Sequence, residues 1–238
     1  MSQTKSKSGN QLIDALPLQE SRRLTPYFKL MYLDSGTILH EPGEILEFAY
    51  FPIGAMISLV SIMDNGATTE MGLIGNEGFV GLPIILGGEQ TISRGIVQMD
   101  GESLKINGSI LKKEFQRGLE LQALLLIYTQ ARLTQVAQTS ACNRQHSIRQ
   151  RLARWLLSVY DCVLEDELPL TQEFMANMLG TRRAGVTNAA NELQNAGLIS
   201  YSRGKVHILD RKGLEENACE CYRVIQNEYI RLLGSKRG

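Results

Sequence analysis

The sequence is short of the features that mark several protein classes. No apolar run approaches the roughly 18–20 residues needed to cross a bilayer, and the opening MSQTKSKSGN lacks the apolar segment of a secretory signal. A cytoplasmic protein with a short N-terminal tail and no membrane partner is expected. Only 6 of the 238 residues are proline, 21% are charged, and the formal net charge is zero. Collagen-like and charge-driven disordered classes are thereby excluded. Cysteine is scattered, at Cys142, Cys162, Cys219 and Cys221. No CxxC pair exists, and Cys219 and Cys221, two residues apart on an expected C-terminal helix, would face different sides. No metal site, no cofactor and no disulfide framework are expected, and the thiols should be reduced.

The zero net charge hides an asymmetry. Residues 1–141 hold 11 Lys and Arg against 14 Asp and Glu, and residues 142–238 hold 14 against 11. Arg144, Arg149, Arg151 and Arg154 share one acid-free stretch, and from 181 to 205 four basic residues face only Glu192. A local basic surface of this kind suits phosphate contacts, although an ordinary solvated face has the same composition.

Two grammars divide the chain. From Gly36 to about Leu104, short apolar runs alternate with Gly-rich breaks: GTILH, ILEFAYFP, AMISLVSIM, TTEMGLIG, GFVGLPIIL, SRGIVQM and ESLKI. The clearest hairpin turns at Asp64-Asn65-Gly66, residues that tolerate positive φ. Strands at this spacing predict an antiparallel β-roll over 25–110, jelly-roll-like, behind a tail or short helix over 1–24. A long helix follows over 111–141. Leu119, Leu126, Leu133 and Val136 form one stripe on it, and Leu121, Leu124, Leu125 and Tyr128 another. Periodicity alone fits both a core helix of a monomer and a helix shared with a second copy.

The rest, 142–238, reads as short helices: Ser147–Asp161, one after the N-cap Thr171, and one over about Arg182–Ala196 that stops at Gly197. Two short strands flank Ser202-Arg203-Gly204. Two helices joined at Gly180, followed by a hairpin, make a winged helix-turn-helix, so the whole is an α+β fold. The second helix of such a unit enters the major groove of double-stranded DNA with its N-terminal residues. Here these are Thr181, Arg182, Arg183, Thr187 and Asn188. Thr171 and Gln172 open the first helix, where backbone amides suit a phosphate, and Arg203 and Lys205 sit on the wing, where contact with the DNA backbone is expected.

This arrangement resembles the transcription regulators of the cyclic-AMP receptor protein (CRP)/FNR type over nearly the whole chain. PLTQEFMANMLGTRRAGVTNAANELQNAGLISYSRGKVHILD carries most of the resemblance; GEILEFAYFPIGAM and NEGFVG carry less. It implies a homodimer paired through the long helix, a roughly palindromic DNA site and, for activation, contact with RNA polymerase. It also implies an effector site near Gly81, Leu82, Arg94 and Val136. There the chain departs from nucleotide-binding members. Leu82 stands where a Glu would hold the ribose, and an apolar Leu accepts no hydrogen bond. Arg94-Gly95-Ile96 replaces Arg-Ser or Arg-Ala, and Val136-Ala137 replaces the Thr-Ser pair that meets adenine. A small-molecule effector other than cyclic AMP, or none, is expected, with a cyclic-nucleotide-responsive regulator as the alternative. In the reading helix Ala184 takes the place of the usual Glu and Asn188 that of a second Arg, so the half-site should differ.

Other function classes fit less well. A cupin-type metalloenzyme needs two or more His with a carboxylate on neighbouring strands. The roll holds His40 alone, with His146 and His207 elsewhere, and no catalytic residue is expected. A protein-interaction module built on the winged helix would differ from a DNA reader in its weaker salt dependence.

Overall fold

A computed structural model describes residues 7–163 and 167–234. The chain forms two compact units, one of 1–59 with 74–130 and the other of 60–73 with 131–238.

The first unit opens on helices α1 (Gln11–Ala15) and α2 (Leu18–Leu24). Of the expected tail, residues 1–6 lie outside the described residues, while Asn10 is fully buried. Its side-chain oxygen accepts from Leu12 and Ile13 at the start of α1, and its amide donates to Pro52 and Gly78 carbonyls at 2.8 Å each. The roll strands are β1 (Lys29–Leu33), β2 (Ile38–His40), β3 (Phe48–Pro52), β4 (Met56–Ile62), β5 (Thr68–Ile74), β6 (Arg94–Met99) and β7 (Gly101–Asn107). They form sheets of order β1-β7-β3 and β2-β6-β4-β5. The expected hairpin is present: Gly66 has φ +80°, and Met63 N–H donates to the Ala67 carbonyl at 2.9 Å. Inward residues Leu33, Tyr50, Ile57, Ile74, Val80 and Val97 make one core.

Three expectations need correction here. Strand β1 precedes Gly36 and was not anticipated, because its apolar residues Leu30 and Tyr32 are exposed and spoil the alternation. The run GLPIIL is a helix, α3 (Leu82–Leu86), not a strand. Pro83 sits in its first turn, where the missing N–H costs nothing, and Gly81 and Gly87 bracket it at φ +137° and +89°. The long helix is two: α4 (Gly108–Phe115) and α5 (Glu120–Gln145). Gly118, at φ +72°, lies in the break, and the buried Glu20 carboxylate of α2 caps α5 by accepting from Glu120 and Leu121 N–H at 3.2 and 2.9 Å. An anion at a helix N-terminus also meets the positive end of its dipole. Leu119 therefore stands in the break rather than on the stripe.

Tyr128 anchors the buried stripe of α5. It continues a run of rings, Phe28–Phe51–Phe79–Tyr128, with centroids 5.5, 5.1 and 5.4 Å apart. Gly78 is required beside it, since a Cβ there would overlap the Tyr128 hydroxyl. Leu121, Leu125 and Tyr128 are buried, whereas Leu126, Leu133 and Val136 are 47%, 66% and 40% exposed. The two stripes thus have different fates, one covered and one open.

In the second unit come α6 (Ile148–Val163), β8 (Glu167–Leu168), α7 (Gln172–Leu179), α8 (Arg183–Asn195), β9 (Ile199–Ser202), β10 (Lys205–Ile208), α9 (Arg211–Asn217) and α10 (Cys221–Leu233). The wing has three strands, in the order β8-β10-β9. Its extra strand comes from EDELP, whose first two residues lie outside the described ones. Trp155, Leu156, Met175, Val186, Leu193 and Leu214 pack the helices together. Asp161, buried on α6, accepts from Tyr222 at 2.7 Å, from Arg211 at 3.1 Å and from Gln226, joining α6, α9 and α10.

The basic stretch at 144–154 is not the surface it promised. Arg144 is exposed, but Arg151 and Arg154 are 8% and 6% exposed, and Arg151 donates to the Leu179 carbonyl at the end of α7. The cysteine reading fails as well. Cys219 precedes α10 and Cys221 is its first residue, so helical spacing does not apply between them. Their sulfurs converge with Cys142 in one buried cluster.

Candidate nucleic-acid interface

The helix-turn-helix is built by short-range chemistry. Thr171 caps α7, its hydroxyl accepting from Phe174 N–H at 3.1 Å. Gly180, at φ +57°, ends α7 in the left-handed conformation, and Gly180 and Thr181 N–H groups return to the open carbonyls of its last turn. Helix α8 then packs on α6 closely enough that a Cβ on Gly185 would come within 2.7 Å of Ile148 Cδ1. Val186, Ala189, Ala190 and Leu193 face inward, while Arg182, Arg183, Ala184 and Asn188 are exposed.

The expected reading residues fall into two groups. Arg182, Arg183, Asn188 and Arg203 are exposed, and among the described residues none of these arginines has an ion-pair partner. Thr187, Gln172, Thr171, Lys205 and the half-buried Thr181, whose N–H donates to the Ala176 carbonyl, are engaged within the protein. The Thr187 hydroxyl lies 2.7 Å from Gln172 Oε1 and 3.0 Å from the Arg183 carbonyl, linking the two helices. Gln172 N–H donates to Tyr201 Oη at 3.2 Å, which takes up one of the amides expected to receive a phosphate. Lys205 is paired with Glu167 of β8, which also lies 3.1 Å from His207. The Lys205 hydrogen bond holds the Glu167 carboxyl below its usual range. Tyr201 was not singled out in the sequence; only its place on the strand after α8 could have pointed to it.

Two placements run against local stability. Helix α8 begins with Arg182 and Arg183, has no acid in its first turn and no side-chain cap. Cations there meet the positive end of the helix dipole, an unfavourable contact of about 0.3–1 kcal/mol each. On the wing, Arg203 takes φ +50° beside Gly204 at +79°. A two-residue turn of this hand prefers Asn or Gly, and a side chain there costs roughly 1 kcal/mol.

The expected effector residues do not form a polar anion site. Arg94 is paired with Glu41 at 2.8 Å, so its charge is already met. Leu82 opens α3, and Gly81 packs its backbone against Ala49. Val136 is on the exposed stripe of α5. His40 is buried, which pushes its imidazole below the ordinary value despite nearby Glu44 and Glu41, and its Nε2 has no hydrogen-bond partner among the described residues.

Residues 150–217 match the family of the Crp-like helix-turn-helix domain. The chain carries a Crp-like helix-turn-helix domain. Solved structures extend the likeness from this Crp-like domain to the fold of most of the chain. A CRP/FNR-family transcriptional regulator of Thermus thermophilus is 22% identical, covering 80% of this chain and 98% of its own, with a TM-score of 0.64. FixK2 from Bradyrhizobium japonicum is 14% identical over 81% of this chain and 98% of its own, at 0.70. The c-di-GMP-responsive global regulator CLP of Xanthomonas campestris is 17% identical over 81% and 99%, at 0.65. No curated protein sequence matches the chain. No helix among the described residues is long and apolar enough to cross a membrane. The family match thus covers the helix-turn-helix domain, and the likeness of the solved structures is one of fold.

Proposed function

We propose that the chain is a dimeric, sequence-specific DNA-binding transcription regulator acting in the cytoplasm. The observation that carries this reading is the placement of Arg182, Arg183 and Arg203. They are exposed and sit where helix dipole and backbone conformation disfavour them. Residues kept against local stability point to a contact outside the fold. Arg182 and Arg183 reach base edges and phosphates in the major groove, Asn188 reads a further base, and Arg203 meets the backbone. Thr171, Gln172 and Thr187 position these groups. The exposed stripe of Leu126, Leu133 and Val136 pairs with the same stripe of a second copy, so the operator is an inverted repeat. Leu119, standing outside α5, flanks that contact.

The roll senses a ligand other than cyclic AMP or carries none, since Leu82 offers no hydrogen-bond acceptor and Arg94 is held by Glu41. RNA polymerase is the partner through which an activating form would work.

The test is selection of bound duplexes from a random pool by the purified protein, without added ligand, at two salt concentrations. Recovery of an inverted repeat that weakens with salt and is lost in the Arg182→Ala/Arg183→Ala double variant is expected. Recovery unaffected by that double variant would overturn the assignment of the reading helix.

A further inference from the structure

The C-terminal unit contains a second constellation, unrelated to the DNA-reading face. Cys142 stands on the last turn of α5, and His146, the residue just after its end, still donates its N–H to the Cys142 carbonyl at 3.1 Å, which sets the two one helical turn apart. Cys219 and Cys221 flank the start of α10. One ligand atom from each of the four lies within 4.8 Å of all the others. Cys142 Sγ is 3.4 Å from Cys219 Sγ, and Cys221 Sγ is 3.5 Å from His146 Nδ1. Two sulfurs bound at about 2.3 Å to one tetrahedral ion are roughly 3.7 Å apart, so these separations fit a single centre. They exceed the roughly 2.05 Å of a disulfide, and the group is too tight for a cluster of several irons.

The surroundings match a metal site in three further respects. The three cysteines are buried. His146 turns its other ring nitrogen, Nε2, to the Glu220 carboxylate at 3.1 Å, the outer partner that fixes a metal-binding imidazole in orientation and tautomer. Gln138 Nε2 donates to Cys221 Sγ at 3.1 Å. Charge is met as well. Three thiolates and a neutral imidazole around a divalent ion leave one net negative charge, and the buried guanidiniums of Arg151 and Arg154 act on the cysteines electrostatically. The Nε atoms of both arginines have no hydrogen-bond partner among the described residues.

We propose that Cys142, His146, Cys219 and Cys221 bind one zinc ion in a closed Cys₃His site that staples the last turns of α5 to the start of α10. Binding exchanges three thiol protons for the ion, leaving His146 neutral with its Nε2 proton toward Glu220. Affinity therefore falls as pH falls. With four protein ligands no coordination position is left for a substrate water, so the site is structural rather than catalytic.

The full-length protein, purified under reducing conditions, should contain one zinc per chain by elemental analysis. Cobalt(II) added after chelation should give the visible bands of a tetrahedral ion and thiolate-to-metal charge transfer. Cys221→Ser and His146→Ala should each lose most of the bound metal, while Cys162→Ser, a cysteine outside the cluster, should retain it. Because the first two variants could fail to fold, the cobalt spectrum of the unsubstituted protein is the deciding measurement. Absence of tetrahedral bands in the reduced protein overturns the site. Cobalt bands that persist in a folded Cys142→Ser/Cys219→Ser variant overturn it too, as does isolation from cells with Cys142 and Cys219 joined as a disulfide.

Discussion

Two groups of arginines about thirty residues apart illustrate how differently the same side chain is used. Arg151 and Arg154 look in sequence like a basic surface but lie on the inner face of α6, one donating to Leu179 and both beside the cysteine cluster. Arg182, Arg183 and Arg203 occupy positions that local structure disfavours, and they are exposed without ion-pair partners among the described residues. Charge counted along a chain locates basic residues; only the fold separates those spent internally from those available to a ligand. Arg94, paired with Glu41, is a third case: a cation at the expected effector site whose charge is already met.

The contrast should be widest in stability. Arg151→Met leaves the Leu179 carbonyl without this donor and should destabilise the chain by about 2–3 kcal/mol, the cost of an unsatisfied buried group. Thermal or denaturant unfolding would show it, with DNA affinity per folded molecule little changed. An equally stable variant would mean that this arginine is not structurally committed. For the exposed set the effects reverse. Arg183→Ala should weaken binding to the selected operator by about 1–3 kcal/mol and relax preference at one base pair. Its stability should be unchanged or raised by up to about 1 kcal/mol, because a cation leaves the positive end of α8. Fluorescence anisotropy and melting on the same preparations check both signs together.

Thr187→Val tests a smaller effect. It removes the hydroxyl that joins α8 to Gln172 and should cost about 0.5–1.5 kcal/mol, mostly in folding stability. Specificity at every operator position should survive, because Thr187 holds α8 in place and reads no base. A selected sequence altered at one position would instead make Thr187 a reader.

Legibility followed the range of the interactions involved. The winged helix was readable because its signals are local: the Thr171 cap, the Gly180 turn and the spacing of Val186, Ala189 and Leu193 lie within a few residues of what they determine. The β4–β5 hairpin was readable for the same reason. The break before α5 was not, because its cap comes from Glu20, a hundred residues upstream. The metal constellation was invisible for a related reason. Cys142 and His146 show helical spacing only beside a known α5, and they meet Cys219 and Cys221 by tertiary packing. Strand spacing indicated the roll, but not that Pro83 turns one apparent strand into α3.

The finest division between committed and available cations falls on Lys205. It belongs to the wing and was expected to meet a phosphate, yet Glu167 on the neighbouring strand holds it. Exposed ion pairs contribute little, so Glu167→Gln should barely change stability. It should release Lys205 and remove an acid from the wing, strengthening DNA binding at low salt. If Lys205 then neutralises one more phosphate, the slope of log affinity against log salt should steepen by about 0.9. A steeper slope with an unchanged selected sequence would make Glu167 an electrostatic brake on the wing. An unchanged slope would mean that Lys205 already leaves Glu167 for phosphate in the complex, and would place it with Arg203 among the available cations.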